Sequence, residues 1–365
     1  MLIRRNFVIL CKIPIRVKEM KLAKGIGIFI LALMFFLPGC KRGVESASEP
    51  LKRQAEEHYI KARRLFLTCD PDKYADAVKE FQTALNYWDE YPEALAGLAE
   101  TISMWRGYAL TEEEFGQAYQ LAQRSLRLKP ELADGYRAMA DLFRHRGETD
   151  RALRMIENAL KIAPDNAENL YVKGSALLDK DPKESARVLI QAQKLNPNLA
   201  KIYFNLASAA QKLNNFDEAL KNLQRYQEMV PSDVASYCSM GMIYLSKMQM
   251  ENTAEAREQL ESKAMENLKM TIAKSDAVQK PWQAQWVILS AKTLARIYMD
   301  KKNYPEALNY LKKSEEIFAE DAELHYLYGK VYKAMGDKAQ AKAHLEQASK
   351  LAPDNEDIKK ELKGL

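Results

Sequence analysis

Residues 133–166 read ADGYRAMADLFRHRGETDRALRMIENALKIAPDN, and this stretch decides the fold. Its two halves each carry apolar residues three or four positions apart, the spacing that places side chains on one face of a helix. Gly147 separates the halves, and Pro164 ends the second one. The apolar faces comprise Tyr136, Met139, Ala140 and Phe143 in the first half, and Ala152, Ile156 and Ala159 in the second. The stretch therefore predicts a hairpin of two short amphipathic helices.

The same hairpin pattern recurs along the chain. An alanine followed four residues later by another apolar residue appears in similar contexts, such as YADAVKEF, TDRALRMI and YPEALNYL. These alanines are Ala77, Ala118, Ala152, Ala186, Ala219, Ala264, Ala307 and Ala341. Four of the seven intervals between them lie within one residue of 34, and a period near 34 in a helical pattern indicates a helical repeat array.

The repeat resembles the tetratricopeptide repeat. Residues 322–355 carry the family's pattern most completely, except that His325 stands where the family has Trp. The matching positions are Tyr328, Gly329, Tyr332, Gly336, Ala341, Leu345, Ala348 and Pro353. The resemblance covers about residues 56–355. It implies an all-α fold, a right-handed α-solenoid of about eight helix hairpins with a C-terminal capping helix.

Small residues recur where the two helices of a hairpin would cross. Helix axes approach to about 8–10 Å, and the closest approaches need small side chains at the contact. In the predicted first helices this position holds Ala99, Ala140, Gly174, Ala207, Gly241, Ala295 and Gly329. The recurring alanines of the second helices would face them.

The pattern divides the chain into four parts. We expect a leader over residues 1–39, a flexible tether over 40–50, the solenoid over 51–355 and a capping helix over 356–365. The predicted repeats are 56–91, 92–132, 133–166, 167–199, 200–233, 234–287, 288–321 and 322–355. The sixth repeat is irregular: residues 251–274 predict an elongated second helix, and an extended first helix is expected to begin near Pro281. We expect Trp282 and Trp286 to cover the protruding helix, the alternative being a partner site there.

The leader has the features of an export signal. Lys21 and Lys24 precede an apolar run over 25–37, which is too short to span a bilayer comfortably, since that takes about 20 residues. Residues 37–40, LPGC, resemble the bacterial lipobox, which implies that Cys40 carries a lipid and becomes the mature N-terminus. Met20 is the predicted start, because MKLAKGIGIFIL is a complete leader in itself. The alternative is an uncleaved anchor with an unmodified Cys40.

The charge distribution gives no indication of nucleic-acid binding, and the cysteine positions give none of a disulfide. The leader holds seven of the 55 basic and one of the 50 acidic residues, which leaves a mature part with 48 basic and 49 acidic residues. The formal charge of +5 therefore belongs to the leader and gives no support for nucleic-acid binding. Cys69 and Cys238 fall in different repeats, so we expect them to pack as small apolar residues without forming a disulfide.

The sequence offers no catalytic constellation. Its four histidines, His58, His145, His325 and His344, have no metal-ligand spacing, and neither a phosphate-binding loop nor a nucleophile elbow occurs. We expect His325 to be packed in the core of its repeat. The predicted protein is not an enzyme and needs no cofactor or metal.

The resemblance implies that a ligand lies in the concave groove lined by the first helices. The mixture of aromatic, apolar and charged groups there suits an extended peptide or a partner helix. By position in the repeat, the lining is Arg137, Asp141, Arg144, Tyr171, Ser175, Leu178, Lys201, Phe204, Ser208, Gln211, Cys238, Met242, Leu245, Lys292, Arg296, Tyr326, Lys330 and Lys333.

These features together predict a membrane-tethered scaffold for protein–protein interaction in the bacterial cell envelope. By analogy with exported proteins of this kind, it would serve the assembly of pili, secretion or outer-membrane machinery. Lys41 after the lipidated Cys40 favours the outer membrane, facing the periplasm, in a Gram-negative organism. The alternative is an accessory lipoprotein of a polysaccharide export or biosynthesis system, binding the polymer or its synthase.

Overall fold

The computed structural model describes residues 47–107, 110–277 and 280–365, and these residues form α-helices, two short 3₁₀ helices and connecting loops, without a β-strand. The predicted leader, Cys40 and most of the predicted tether lie outside the described residues. The first helix begins at Glu49, two residues before the predicted start of the solenoid at residue 51. The all-α fold is confirmed.

Seventeen α-helices follow one another in the described part of the chain. They are α1 Glu49–Leu67, α2 Tyr74–Tyr87, α3 Pro92–Arg106, α4 Glu112–Leu128, α5 Ala133–His145, α6 Thr149–Ile162, α7 Ala167–Leu177, α8 Pro182–Leu195, α9 Ala200–Lys212, α10 Phe216–Met229, α11 Ala235–Met250, α12 Ala254–Lys274, α13 Ala284–Asp300, α14 Tyr304–Glu315, α15 Ala322–Met335, α16 Lys338–Leu351 and α17 Glu356–Lys363. The 3₁₀ helices, Pro71–Lys73 and Pro281–Gln283, precede α2 and α13.

The helices belong to two compact units. The N-terminal unit holds α1 to α6 and residues 167–172 of α7, and within it α1 pairs with α2, α3 with α4, and α5 with α6. The C-terminal unit holds residues 68–72 and 173–365, in which α9 to α16 form four further hairpins. Short α17 packs on α16, where it buries Ile358 and holds Glu361 Oε2 2.9 Å from Lys333 Nζ. Each unit is a stack of helix hairpins, the arrangement of an α-solenoid.

Residues without a large side chain permit the close approach of the two helices in a hairpin. A Cβ atom added at Gly329 of α15 would lie 2.5 Å from Leu345 Cγ and 3.3 Å from the Ala341 carbonyl oxygen of α16. Gly241 meets Leu268 and the Ala264 carbonyl of α12 in the same way. The predicted small positions therefore mark the helix crossings.

The register of α8 differs from the prediction. Ala186 is half-buried and Ile190, four residues later, is exposed, whereas Ser185 and Leu189 are fully buried. Ser185 Oγ donates a hydrogen bond to the Gly174 carbonyl at 2.7 Å, so serine takes the place that alanine has in the other hairpins. The alanine pattern missed this one-residue shift because the hydroxyl of Ser185 has a partner in the crossing and can therefore be buried.

Several first helices end in one recurring turn. The residue after the helix adopts a left-handed conformation, and the next residue donates its N–H to a carbonyl five positions back, the bond of a Schellman motif. Gly336 has φ of 86°, and the Asp337 N–H donates to the Tyr332 carbonyl at 2.9 Å. Asn214 and Lys302 reach φ of 59° and 58° in the same position of their hairpins, although neither is glycine.

The irregular sixth repeat contains the long helices that the sequence predicts. Helix α12 has 21 residues and α13 has 17 residues. Trp286 packs against a cluster of Cys238, Leu268 and Leu294, and Leu268 lies at the crossing with Gly241. Cys238 and Cys69 are both buried, as expected for small apolar residues. Burial raises the pKa of the Cys238 thiol to about 12, although a hydrogen bond with Ser290 opposes the shift.

We predict that Gly329→Ala lowers the free energy of unfolding by about 1–3 kcal/mol, because the new methyl group forces Leu345 or the α16 backbone to move. Gly116→Ala is the control, since Gly116 also lies in a helix but has no atom within 4 Å of the added Cβ. That change is expected to stabilise the protein by about 0.5–1 kcal/mol. Urea unfolding followed by circular dichroism measures both, and equal effects would contradict the close crossing.

Candidate functional site

The predicted groove residues fall on the first helices of both units, but the two sets differ in exposure. In the N-terminal unit they are Arg137, Asp141, Arg144 and Tyr171. In the C-terminal unit they include Ser175, Lys201, Phe204, Ser208, Met242, Lys292, Arg296, Tyr326 and Lys330. The contacts of each set decide what it can bind.

Arg137 lies at the centre of a buried ion cluster in the N-terminal unit. Its side chain is 1% exposed, and its guanidinium donates to both carboxylate oxygens of Glu100, at 2.8 and 3.0 Å. It also donates to Asp134 Oδ1 at 2.6 Å. Arg63 of α1 donates to Glu168 Oε1 of α7 at 2.6 Å and lies 3.5 Å from Glu100. We call these five residues the Arg137 cluster, and it joins α1, α3, α5 and α7.

Attraction between opposite charges offsets the burial of these groups. Burial raises the pKa of the Glu100 carboxyl, and the nearby Arg137 opposes that rise. Burial also acts to raise the pKa of Glu168, but Arg137 and Arg63 outweigh it and lower the pKa. Arg137 lowers the pKa of Asp134 despite its burial. Two arginines therefore compensate three acidic groups, and a buried charge without such a partner would be costly.

Asp141 is fixed one turn further along α5. Its Oδ2 accepts a hydrogen bond from Ser103 Oγ at 2.9 Å, and its Oδ1 accepts from Arg144 Nη2 at 2.5 Å. Burial acts to raise the pKa of Asp141, but Arg144 and His145 hold it well below its usual range. Arg137 and Asp141, predicted as groove residues, thus hold helices of the unit together, and Tyr171 is also buried. Partner contact by these three would require displacement of their present neighbours.

The C-terminal unit presents a half-exposed apolar surface. The Phe204 ring of α9 lies 6.5 Å from the Trp286 ring of α13, with the two planes inclined at 69°. Met242 of α11 packs against the same Cys238 cluster as Trp286. Phe204, Met242 and Trp286 are each partly exposed, and we call them the aromatic patch. Ser208 lies beside it, with its hydroxyl donating to the Phe204 carbonyl at 3.1 Å.

Charged groups occupy α13 and α15 of the same unit. Lys292 is only 3% exposed and donates to Asp321 and Glu323, each at 2.6 Å. Glu323 also accepts from Arg296. Burial would raise the pKa of Glu323, but Lys292 and Arg296 reverse this and lower it to about 2. Buried Lys292 therefore fixes the Asp321 and Glu323 carboxylates in place. Arg296 is the more exposed of the two cations.

The outer part of this charged region is accessible. The Lys330 ammonium lies 5.6 Å from the centre of the Tyr326 ring, and both side chains are partly exposed. Arg296, Tyr326 and Lys330 form what we call the basic patch. Of the remaining predicted residues, Lys201 is partly exposed, and Ser175 is buried and accepts a hydrogen bond from Asn205.

Sequence reasoning missed Arg63, Glu100 and Glu168 as partners of Arg137. A partial signal for them existed, because Arg63, Glu100 and Arg137 fall in successive first helices. They do not occupy equivalent positions, since Glu100 follows the crossing residue Ala99 by one position and Arg137 precedes Ala140 by three. Opposite charges in this series indicate pairing between neighbouring repeats, whereas a charge read by itself suggests a solvated or ligand-binding side chain.

Two further properties concern the described residues alone. Among residues 47–107, 110–277 and 280–365, no group of three or more His, Cys, Asp or Glu side chains is arranged to hold a metal ion. No helix in these stretches combines the length and the apolar character needed to cross a membrane.

We predict that Arg137→Met lowers the free energy of unfolding by about 3–5 kcal/mol, because the buried Glu100 carboxylate loses its two hydrogen bonds from Arg137 and Arg63 alone remains to offset three acidic groups. Arg124→Met is the control, since Arg124 pairs with Asp89 at 3.0 Å on the surface. Its loss is expected to cost less than about 1 kcal/mol. Thermal and urea unfolding measure the loss of stability in the two variants. A similar loss in both would show that the Arg137 cluster stabilises the fold no more than a surface ion pair does.

Known tetratricopeptide repeats resemble three stretches of this chain. Three family models described as tetratricopeptide repeat match residues 136–170, 200–233 and 293–363. The BBSome complex member BBS4 homolog of Drosophila melanogaster is 22% identical over 266 residues, which are 71% of this chain and 49% of that protein. The chain thus spans about half the length of this curated relative.

Solved structures share the fold. The APC/C hetero-tetramer Cut9–Hcn1 superposes with a TM-score of 0.62 at 18% identity, over 86% of this chain and 56% of that chain. A monomeric mutant of IFIT1 with m7Gppp-AAAA gives a TM-score of 0.57 at 16% identity, over 86% of this chain and 70% of that chain. At these identities the likeness shows the fold alone. The three repeat matches, found in a chain of stacked helix hairpins, show that it is a tetratricopeptide-repeat protein, a kind of protein that serves as a scaffold for protein–protein interaction.

Proposed function

We propose that this protein is a non-catalytic, membrane-tethered scaffold of the bacterial cell envelope that binds a peptide or helix of a partner protein on its C-terminal unit. The observation that carries the proposal is the exposure of the aromatic and basic patches on successive first helices of that unit. The predicted groove residues of the N-terminal unit are largely engaged in contacts within that unit.

The chemistry of the two patches defines the kind of partner. Aromatic side chains and methionine offer a large, adaptable apolar surface, which suits an apolar anchor residue of a partner. Arg296 and Lys330 favour an acidic group near that anchor. Lys292 donates a hydrogen bond to Glu323, and Glu323 accepts one from Arg296, so the partly exposed Arg296 guanidinium is preorganised for this contact.

A lipid on Cys40 would tether the protein to a membrane a short distance from its first helix. Cys40 lies outside the described residues, and α1 begins at Glu49. The eight residues between them reach at most about 29 Å when fully extended. A lipid at Cys40 would therefore hold the first helix close to a membrane surface. In a Gram-negative organism we place the protein at the outer membrane, facing the periplasm, in the assembly of pili, secretion or outer-membrane machinery.

We predict that Cys40→Ser releases the protein from the membrane fraction, because the thiol that would carry the lipid is lost. Mass spectrometry of the N-terminus is expected to find a lipid-modified Cys40 in the unaltered protein. Fractionation of cells expressing either form supplies the second readout. An N-terminus at an uncleaved Met1 or Met20 would refute the tether, while leaving the scaffold proposal to its own test.

We predict that a photoreactive amino acid at Ser208 crosslinks one defined protein in cells, since Ser208 lies beside the aromatic patch. Phe204→Ala together with Tyr326→Ala is expected to weaken the crosslink at least tenfold. Tyr87→Ala is the control, because Tyr87 is a half-buried aromatic residue of the N-terminal unit. A crosslink that survives the double change would place the partner elsewhere, and capture of a glycan in its place would favour the polysaccharide alternative.

A further inference from the structure

Two histidines meet in the last hairpin of the C-terminal unit. His325 of α15 and His344 of α16 are 19 positions apart in sequence, and their Nδ1 atoms lie 3.0 Å apart. At this distance one Nδ1 donates its hydrogen and the other accepts it, so the pair shares a single hydrogen in the contact. No motif spacing reveals the pair, because it forms only when the two helices pack.

The surroundings hold the two rings in place. The His344 ring stacks on Tyr328 and on Tyr332 of α15, with centroid distances of 4.6 and 5.5 Å. The Tyr328 hydroxyl donates to Glu315 Oε2 of α14 at 2.9 Å, which brings a carboxylate to this side of the hairpin. The imidazole pair is therefore preorganised by packing, next to a negative charge.

We propose that His325 and His344 form a binding site for a divalent transition-metal ion of the zinc class, with one Nδ1 atom from each ring as ligand. Zinc–nitrogen bonds of about 2.0–2.1 Å in a tetrahedral site place neighbouring nitrogens about 3.3–3.4 Å apart. The observed 3.0 Å is within a few tenths of an ångström of that separation, and each ring must also turn so that its Nδ1 lone pair points at the ion. Water molecules complete the coordination, so the site is open and its ion exchangeable.

Binding requires no change of oxidation state. The ring that carries its hydrogen on Nδ1 moves it to Nε2, and both rings then offer an Nδ1 lone pair while remaining neutral. The neutral imidazole is the metal-binding form, because a protonated ring has no lone pair to offer on Nδ1.

The residue at position 325 supports this assignment. The family pattern has Trp in this position of the repeat, so an imidazole here is a departure that core packing does not require. His58 provides an internal comparison: it is also partly exposed, but its Nδ1 lies 2.6 Å from Glu80 Oε2 and it has no second imidazole beside it. His58 therefore serves as the matched control.

The test is calorimetric titration of the purified full-length chain with ZnCl₂ at pH 7.5. One saturable site per chain is expected. His325→Gln and His344→Gln should each weaken it at least tenfold, a loss at least as large as the roughly 10–100-fold that removal of an outer-shell partner costs. His58→Gln should leave it unchanged, and affinity should fall at pH 5.5 because protonated imidazoles do not coordinate.

A second measurement avoids dependence on the folding of the variants. Electron paramagnetic resonance of the unaltered chain with one equivalent of Cu²⁺ is expected to show coupling to two imidazole nitrogens. Absence of saturable zinc binding by the unaltered chain overturns the proposal. So does undiminished binding by the His325→Gln/His344→Gln double variant, or a copper spectrum without nitrogen coupling.

Discussion

The close crossing of the two helices within each hairpin is the constraint on which the rest of the structure depends. At Gly241 and Gly329 the facing helix comes so near that even a methyl group would meet a leucine side chain below normal contact distance. The leucines that face these glycines, Leu268 of α12 and Leu345 of α16, are completely buried by this contact. Because one hairpin still has apolar surface left over, it must pack on the next, and a stack of hairpins is the result.

Stacking places the side chains of successive first helices side by side, and the two units use this differently. In the N-terminal unit, the neighbours are opposite charges, and the Arg137 cluster ties four first helices together around the buried Arg137–Glu100 pair. In the C-terminal unit, aromatic residues and methionine occupy part of the same positions and stay half-exposed. One backbone arrangement thus gives an internally satisfied framework in one unit and an accessible surface in the other.

The sequence predicts the fold well because helical spacing and a 34-residue period follow directly from backbone geometry. The sequence does not predict the packing correctly where a polar side chain can either face solvent or be buried with a hydrogen-bond partner. Ser185 replaces alanine at a crossing because its hydroxyl finds a carbonyl partner. Arg137 and Asp141 have the composition of ligand-binding residues, but their partners come from other repeats and only the packed helices reveal them. For the same reason His344 attracts no notice until α16 brings it to His325.

Burial of the Cys238 sulphur limits the reactivity of this thiol. A thiol reacts with oxidants and with other thiols through its thiolate, and burial, which raises the pKa of Cys238 to about 12, keeps the group in the unreactive thiol form at pH 7. Helices α11, α12 and α13 surround this sulphur, which also removes it from encounter with another protein's cysteine. Cys238 is therefore protected from forming an unwanted disulfide with another protein, even under oxidising conditions.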